Sequence, residues 1–384
     1  MKPFTFSVPQ NIIMGAGSLK RLPEIAAKIN KKKAYIISDP VLKQMGTVDA
    51  CAGYLKEAGI ESGEFTETEG NPSVETVEKA KEGFCQSGAD FLVALGGGSA
   101  MDVAKAVGVV ATYGGSITEY EGAQKVPGEI VPQIAIPTTA GTGSEVTAFS
   151  VITDHSRNYK LTVFSYQLLP AYVILDPELL ATVPFSVAAA CGMDAFIHAM
   201  ESYISVDASP FTEAMSEKAM ELIGQNIRRF VANRKDIEAA SAMITGSMLA
   251  GIAFSWARLG DVHAMSHPVS AYYNVPHGVA NSILLPVVTE FNMLTDQGKY
   301  HKIYNYIAPV KERSHTFRPE MLVEAIRRLN RELGIPETLS AFNPAITDEH
   351  FEAMAADAMK SGNIAANPRT TTIKDVIALY KKAL

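Results

Sequence analysis

One succession constrains the fold more than any other feature of this chain: an apolar run, a glycine turn, then apolar residues at helical spacing. "ADFLVALGGGSAMDVAKAVGVVAT" shows it most clearly, with the break at Gly96, Gly97 and Gly98. The same order returns at "AYIISD" (34–39), followed by a helical stretch over about 40–58, and at "QIAIPTTAGTGSE" (133–145). Strands that are apolar without alternation are buried on both faces, and helical crossovers between them make a parallel sheet. Such a sheet offers its ligand crevice at the carboxyl ends of the strands. From about residue 185 the text is dominated by Ala, Met, Leu, Glu and Lys and reads as helix. The expected architecture is therefore an α/β, Rossmann-like dinucleotide-binding domain over 1–183 and an all-helical metal-binding domain over 184–384. With no low-complexity linker between the halves, the cleft between them is the expected place for a site.

Composition sets the outer limits. The 384 residues are 47% hydrophobic and 20% charged, as in a soluble globule of two domains. The net charge of −7 argues against nucleic acid as a partner. Cys51, Cys85 and Cys191 are isolated and odd in number, which suggests a reducing cytoplasm. No apolar run reaches the roughly 18–20 residues a membrane span needs, and "MKPFTFSVPQ" lacks the pattern of a signal peptide. The only basic run, Lys31 to Lys33, precedes a strand and reads as a solvated edge.

The glycine turn can do more than turn. Glycines let a backbone approach a phosphate closely, and the helix that follows offers unpaired N–H groups and a positive dipole end. It is not the GxGxxG fingerprint, because the acidic residue that could hold a ribose, Asp39, precedes the glycines. Asp39 has two readings: a hydrogen-bond acceptor for a ribose, which would repel a 2′-phosphate and favour NAD over NADP, or the N-cap of a helix starting at Pro40. The second small-residue turn, "TTAGTGSE", could line the same crevice.

Histidines point to a metal. The chain has eight, and His263, His267 and His277 fall within fifteen positions. "GMDAFIHAMES" sets Asp194 and His198 four apart, on one helical face, and His263 and His267 repeat that spacing. His277, between Pro276 and Gly278, is expected just beyond a helix or in a loop. His155, His301, His315 and His350 read as structural or surface residues. Oxygen and imidazole ligands suit Fe²⁺ or Zn²⁺ better than Ca²⁺ or Mg²⁺, and five candidate groups exceed what a site with an open position needs. One histidine is then left for proton transfer. A Lewis acid beside a dinucleotide suggests hydride exchange with a carbonyl. Lowering an alcohol's pKa from roughly 15.7 towards 7, as zinc does for water, amounts to about 12 kcal/mol. A metal-dependent hydrolase, with the glycine turns as mere turns, is the alternative from another class.

Four segments carry a resemblance: "ALGGGSAMDVAKA", "IPTTAGTGSEVT", "CGMDAFIHAMESYIS" and "VHAMSHPVSAYYNVPHGVANSILLP". They resemble the iron-dependent (group III) alcohol dehydrogenases, a family that includes lactaldehyde reductase and propanediol dehydrogenase, and the likeness runs nearly end to end. It implies the dehydroquinate synthase-like fold, a homodimer, Fe²⁺ (or Zn²⁺) and NAD(H). Residue by residue it implies metal ligands at Asp194, His198, His263 and His277, and a proton-relaying His267 near the nicotinamide. Asp194, His263 and His267 are thereby the catalytic candidates. The cofactor positions implied are Asp39, Asn71, Gly97, Gly98, Ser99, Asp102, Thr138, Thr139, Thr142 and Lys160. Dehydroquinate synthase and glycerol dehydrogenases share the architecture, but the "PHGVAN" segment resembles the iron-type group more closely.

The chain departs from the family where the substrate pocket is implied. "FSWARLGDVHAMSH" stands where members commonly read like "FSNAGLGLVHAMAH", so Trp256, Arg258 and Asp261 replace an amide, a glycine and an apolar residue. Phe149, Phe254, Trp256 and Arg258 are the expected substrate contacts. Arg258 could grip an anionic aldehyde such as sulfoacetaldehyde, which family members reduce to isethionate. Alternatively Arg258 and Asp261 pair at i, i+3 and touch no substrate, leaving a neutral short-chain alcohol or diol.

Overall fold

The computed structural model describes residues 8, 11–157, 159–309 and 316–384, and His315 lies outside them. It separates into two compact units between Ala181 and Thr182.

The first unit contains every strand among the described residues: β1 (Asn11–Met14), β2 (Lys33–Ile37), β3 (Glu61–Phe65), β4 (Phe91–Gly96), β5 (Gly122–Ala123), β6 (Gln133–Pro137), β7 (Phe149–Asp154), β8 (Tyr159–Phe164) and β9 (Tyr172–Leu175). Its helices are α1 (Leu22–Ile29), α2 (Pro40–Gln44), α3 (Thr47–Glu57), α4 (Val74–Ser87) and α5 (Gly98–Tyr113). Six strands form one all-parallel sheet in the order β1-β9-β6-β4-β2-β3. β4 is buried along its whole length, and Ile36, Val93, Leu95, Ile134 and Ile136 form the centre of the core. The expected stretch over 40–58 divides into α2 and α3 at Gly46, whose φ of 78° no continuing helix accepts.

Strand order matters for function. From β2 the chain moves outward to β3, then returns past β2 to β4 and continues in the other direction. The reversal therefore lies between β2 and β4, whose register pairs Ile37 with Ala94. Asp39 and the glycine turn thus emerge at adjacent carboxyl ends, at the switch point where sheets of this kind bind ligands. The hairpin β7–β8, with β5 beside it, is a separate small sheet that the sequence reading did not foresee.

The second unit is helical: α6 (Phe185–Ile204), α7 (Pro210–Ala232), α8 (Ile237–Ala257), α9 (Asp261–Tyr273), α10 (His277–Asn292), α11 (Lys299–Ile307), α12 (Pro319–Glu332), α13 (Leu339–Phe342), α14 (Phe351–Ala358) and α15 (Ile373–Ala383). By length and composition alone α8 would suffice to cross a membrane, with a mean hydropathy of 1.5, although Glu238, Ser241 and Ser247 interrupt its apolar run. Here it packs on α6 and α7 and buries Met243, Ile244 and Ala250. His277, expected beyond a helix, is instead the first residue of α10, directly after Pro276.

Candidate active site

In the helical unit, three helices deliver four candidate ligands. α6 carries Asp194 and His198 on one face, α9 carries His263 and α10 begins with His277. Ligand atoms of Asp194, His263 and His277 all lie within 4.8 Å of one another. His263 Nε2 and His277 Nε2 stand 3.6 and 3.8 Å from the same Asp194 oxygen, Oδ1. The ring of His198 stacks between those of His263 and Phe254, each at 4.5 Å, with Nδ1 3.9 Å from Asp194 Oδ2. Asp194, His198 and His263 are buried, whereas the His277 side chain is 32% exposed. His267 stays outside the triangle; its ring stacks on that of His277 at 5.3 Å.

Close helix contact makes this convergence possible. A Cβ on Gly278 would fall 2.3 Å from the carbonyl oxygen of Ala190, one turn before Asp194 on α6. Only glycine lets the start of α10 approach closely enough to set His277 beside Asp194.

Glu201, which the sequence reading passed over, completes the arrangement from behind. Its Oε2 meets His263 Nδ1 at 2.6 Å and its Oε1 accepts from the N–H of Val262 at 2.8 Å, all of it buried. The signal was present: Glu201 lies seven residues beyond Asp194, on the same helical face. A carboxylate on Nδ1 fixes the tautomer that leaves Nε2 as a lone-pair donor. Burial alone would push the His263 imidazole down, but Asp194 and Glu201 outweigh it and bring it up to about 9. Burial would likewise raise Asp194, yet His198, His263 and His277 hold its carboxyl far below the usual range. A buried carboxylate and three imidazoles, with Nε2 of His263 and His277 turned to one oxygen of that carboxylate, form a donor set that fits Fe²⁺ or Zn²⁺.

In the first unit the two small-residue turns meet. A Cβ on Gly98 would fall 2.8 Å from Thr142, and one on Gly97 3.4 Å from Thr139. Gly97 caps the sixteen-residue α5, so the turn exposes a helix N-terminus. Thr138 is tied to the turn by its backbone, and Ser99 donates to the carbonyl of Gly70 at 3.0 Å. Lys160 on β8 donates to Asn71 at 2.8 Å, and burial lowers its pKa. Asp39 is the N-cap of α2: Oδ1 accepts from Val41 and Leu42, while Oδ2 faces Gly96. The cap and the ribose reading use different oxygens and are compatible.

Asp102 faces inward. Its Oδ1 accepts from the Ser144 hydroxyl at 2.8 Å and Oδ2 from the N–H of Val151 at 3.2 Å, so it braces the second turn. Lys105, one turn later and fully buried, donates its three protons to the carbonyls of Ser144, Thr147 and Phe149 at 2.6, 2.9 and 2.8 Å. Burial lowers this lysine to about 8 and raises its neighbour Glu145 to about 7.

Phe254 lies on His198, and Phe149 stacks on Phe164 at 4.7 Å in the small sheet. Trp256 is half-buried near the end of α8. Arg258 turns outward: its guanidinium is 4.0 Å from Asp207 and 3.5 Å from the carbonyl of Gly362. The expected Arg258–Asp261 pair does not form. Helix α8 ends at Ala257, so an i, i+3 argument fails there, and Asp261 opens α9 buried, accepting from Thr371 at 2.5 Å. Burial pushes the Asp261 carboxyl up to about 7.

A doubly wound sheet with a glycine turn at its switch point, and a separate helical unit holding a histidine–aspartate cluster, define a metal-dependent dinucleotide oxidoreductase. The chain belongs to the iron-containing alcohol dehydrogenases: the pattern of that family matches residues 9–177 and its C-terminal counterpart matches 188–384. It is 36% identical over 380 residues to an NAD-dependent methanol dehydrogenase of Bacillus methanolicus, covering 99% of each chain. A solved 1,3-propanediol oxidoreductase matches all of both chains with a TM-score of 0.95 and 36% identity. A sulfoacetaldehyde reductase of Bifidobacterium kashiwanohense, solved with NAD⁺, matches with a TM-score of 0.89 and 27% identity, over 100% of this chain and 99% of that one.

Proposed function

We propose that this enzyme interconverts a small neutral alcohol and its aldehyde, with NAD(H) as the hydride partner and a divalent cation held by Asp194, His198, His263 and His277. The convergence of Asp194, His263 and His277 within 4.8 Å carries the reading. When bound, the cation supplies Lewis-acid polarisation of the alcohol or aldehyde oxygen, and the dinucleotide accepts or gives the hydride. The chain's own residues do the rest. Glu201 keeps the His263 proton on Nδ1 and so presents Nε2. Oxidation leaves a hydroxyl proton to be removed, and His267, stacked on His277 but outside the triangle, takes it up and passes it to solvent. The turn at Gly97, Gly98 and Ser99, with Thr138, Thr139 and Thr142 beside it, receives the pyrophosphate. Asn71 and Lys160 belong to the same cofactor surface. The carboxylate of Asp39 accepts from a ribose and repels a 2′-phosphate, and the NAD dependence of the Bacillus relative supports that preference.

The outward course of Arg258, towards Asp207 and Gly362, favours a neutral substrate over an anionic aldehyde. Loss of nicotinamide absorbance with a panel of C2–C4 aldehydes tests the reaction, with sulfoacetaldehyde as the anionic member. Arg258→Ala is expected to leave the ratio of kcat/KM for anionic and neutral aldehydes unchanged. A selective loss for the anionic ones would restore the anion reading.

A further inference from the structure

Asn281 lies on α10 one turn beyond His277, fully buried, and its side-chain amide enters the ligand triangle. Nδ2 donates to Asp194 Oδ1 at 2.7 Å and stands 3.1 Å from Nε2 of both His263 and His277. The nitrogen thus faces the Asp194, His263 and His277 atoms of the candidate metal site. The other end of the amide is treated differently: Oδ1 is buried with no hydrogen-bond partner among the described residues. A buried amide is ordinarily fastened at both ends, because an unmet acceptor is costly. This one is fastened through its nitrogen alone, to groups whose chemistry is that of metal ligands.

We infer that Asn281 is a built-in stand-in for the cation: without metal its amide nitrogen, bonded to Asp194 Oδ1 and 3.1 Å from both imidazole nitrogens, keeps the ligand triangle together, and loading makes the amide give up its bond to Asp194. The hydrogens of an amide carry partial positive charge, so they offset the buried Asp194 carboxylate and hold three side chains from three helices in register. The ligands are kept assembled, and the cation must compete for them. This inference rests on the metal reading of the cluster.

A stand-in differs measurably from a ligand and from a packing residue. Loss of a ligand weakens metal binding, and loss of a packing residue lowers the stability of apo and loaded protein alike. Loss of a competitor destabilises the apo form selectively and tightens binding. Hydrogen bonds to charged groups are strong enough for a gain of about tenfold to a hundredfold in affinity. The test uses the full chain as wild type, Asn281→Ala and Asn281→Val, stripped of metal and titrated with Co²⁺ against a chromophoric chelator. The Co²⁺ absorption bands report the site, and Tm is measured with and without the ion. Whichever variant folds is expected to bind Co²⁺ at least tenfold more tightly, with a lowered apo Tm and a nearly unchanged loaded Tm. Unchanged affinity with equal losses of Tm in both forms overturns the inference, as does weakened binding with shifted Co²⁺ bands. Absence of Co²⁺ binding by the wild type would instead sink the metal reading itself.

Discussion

Exchanging Glu201 for Gln changes one atom and inverts the chemistry behind His263. The carboxylate accepts twice, from His263 Nδ1 at 2.6 Å and from the N–H of Val262 at 2.8 Å. An amide has one acceptor and cannot serve both. If its oxygen keeps Val262, its NH₂ donates to Nδ1 and drives the imidazole proton to Nε2, the atom facing Asp194. If its oxygen keeps His263, two donors meet in a buried place. Either outcome costs about 1–3 kcal/mol, and loss of such a partner behind a metal-bound histidine typically costs about 10–100-fold in affinity. A second effect opposes the first at neutral pH. Asp194 and Glu201 hold His263 up to about 9, so below that pH a cation must displace a proton, and wild-type affinity rises with pH until about 9. Glu201→Gln lowers that pKa and relieves the competition. The full deficit therefore appears at pH 9 and shrinks towards pH 7. Chelator competition with Zn²⁺ or Co²⁺ across pH 6.5–9.5 measures both effects. Affinities equal within about threefold at pH 9, with parallel pH slopes, would refute the reasoning. The same shift gives the apo protein the opposite trend. Because the folded-state pKa is raised, the stability it confers is complete below about 6.5 and is lost as pH rises through about 9.

Three further outcomes are expected. Asp39→Asn keeps a side chain able to cap α2 but removes the charge that repels a 2′-phosphate, so kcat/KM with NADPH relative to NADH should rise by on the order of tenfold in steady-state assays, with little change in Tm. Gly278→Ala sets a Cβ 2.3 Å from the Ala190 carbonyl and must push α10 off α6; calorimetry should find a loss of about 1–3 kcal/mol, together with weaker metal binding. Arg258 holds a φ of 61° and ψ of −175°, so Arg258→Gly should stabilise the protein by about 1 kcal/mol, because relief of about 1–3 kcal/mol of strain exceeds glycine's entropic cost of roughly 0.5–1, and denaturant titration reads the difference.

The central sheet was legible because β2, β4 and β6 are buried on both faces and write themselves as unbroken apolar runs. The hairpin β7–β8 was not, because β7 buries the polar Ser150 and Asp154 while leaving Phe149 and Val151 half-exposed, and β8 alternates its buried Leu161 and Val163 with Lys160 and Thr162, so neither strand reads as an unbroken apolar run. Spacing singled out Asp194 with His198 in α6 and His263 with His267 in α9, yet the triangle takes only Asp194 and His263 from those pairs; its third member, His277, came from the crowding of histidines, and its place at a helix start the sequence did not show. Glu201 and Asn281 escaped notice because a glutamate and an asparagine on a helix ordinarily face water. Here the partners that pull them inward lie 62 and 87 residues away in the chain. The pairing expected of Arg258 and Asp261 failed because spacing implies proximity only within one continuous helix, and the chain changes helix between them.

Lys105 spends its three protons on three carbonyls of the segment that follows the second turn, and Asp102 ties down Ser144 and Val151 in the same stretch. The bed beneath that turn is thus fastened from inside the fold by α5. Asp39 stands at a different strand end, and its Oδ1 accepts from Val41 and Leu42 of α2. The two fixings share no hydrogen bond. On the proposed role of Asp39, cofactor preference at the ribose edge and the shape of the threonine turn are separate variables, and NADH could be exchanged for NADPH at one without recasting the other.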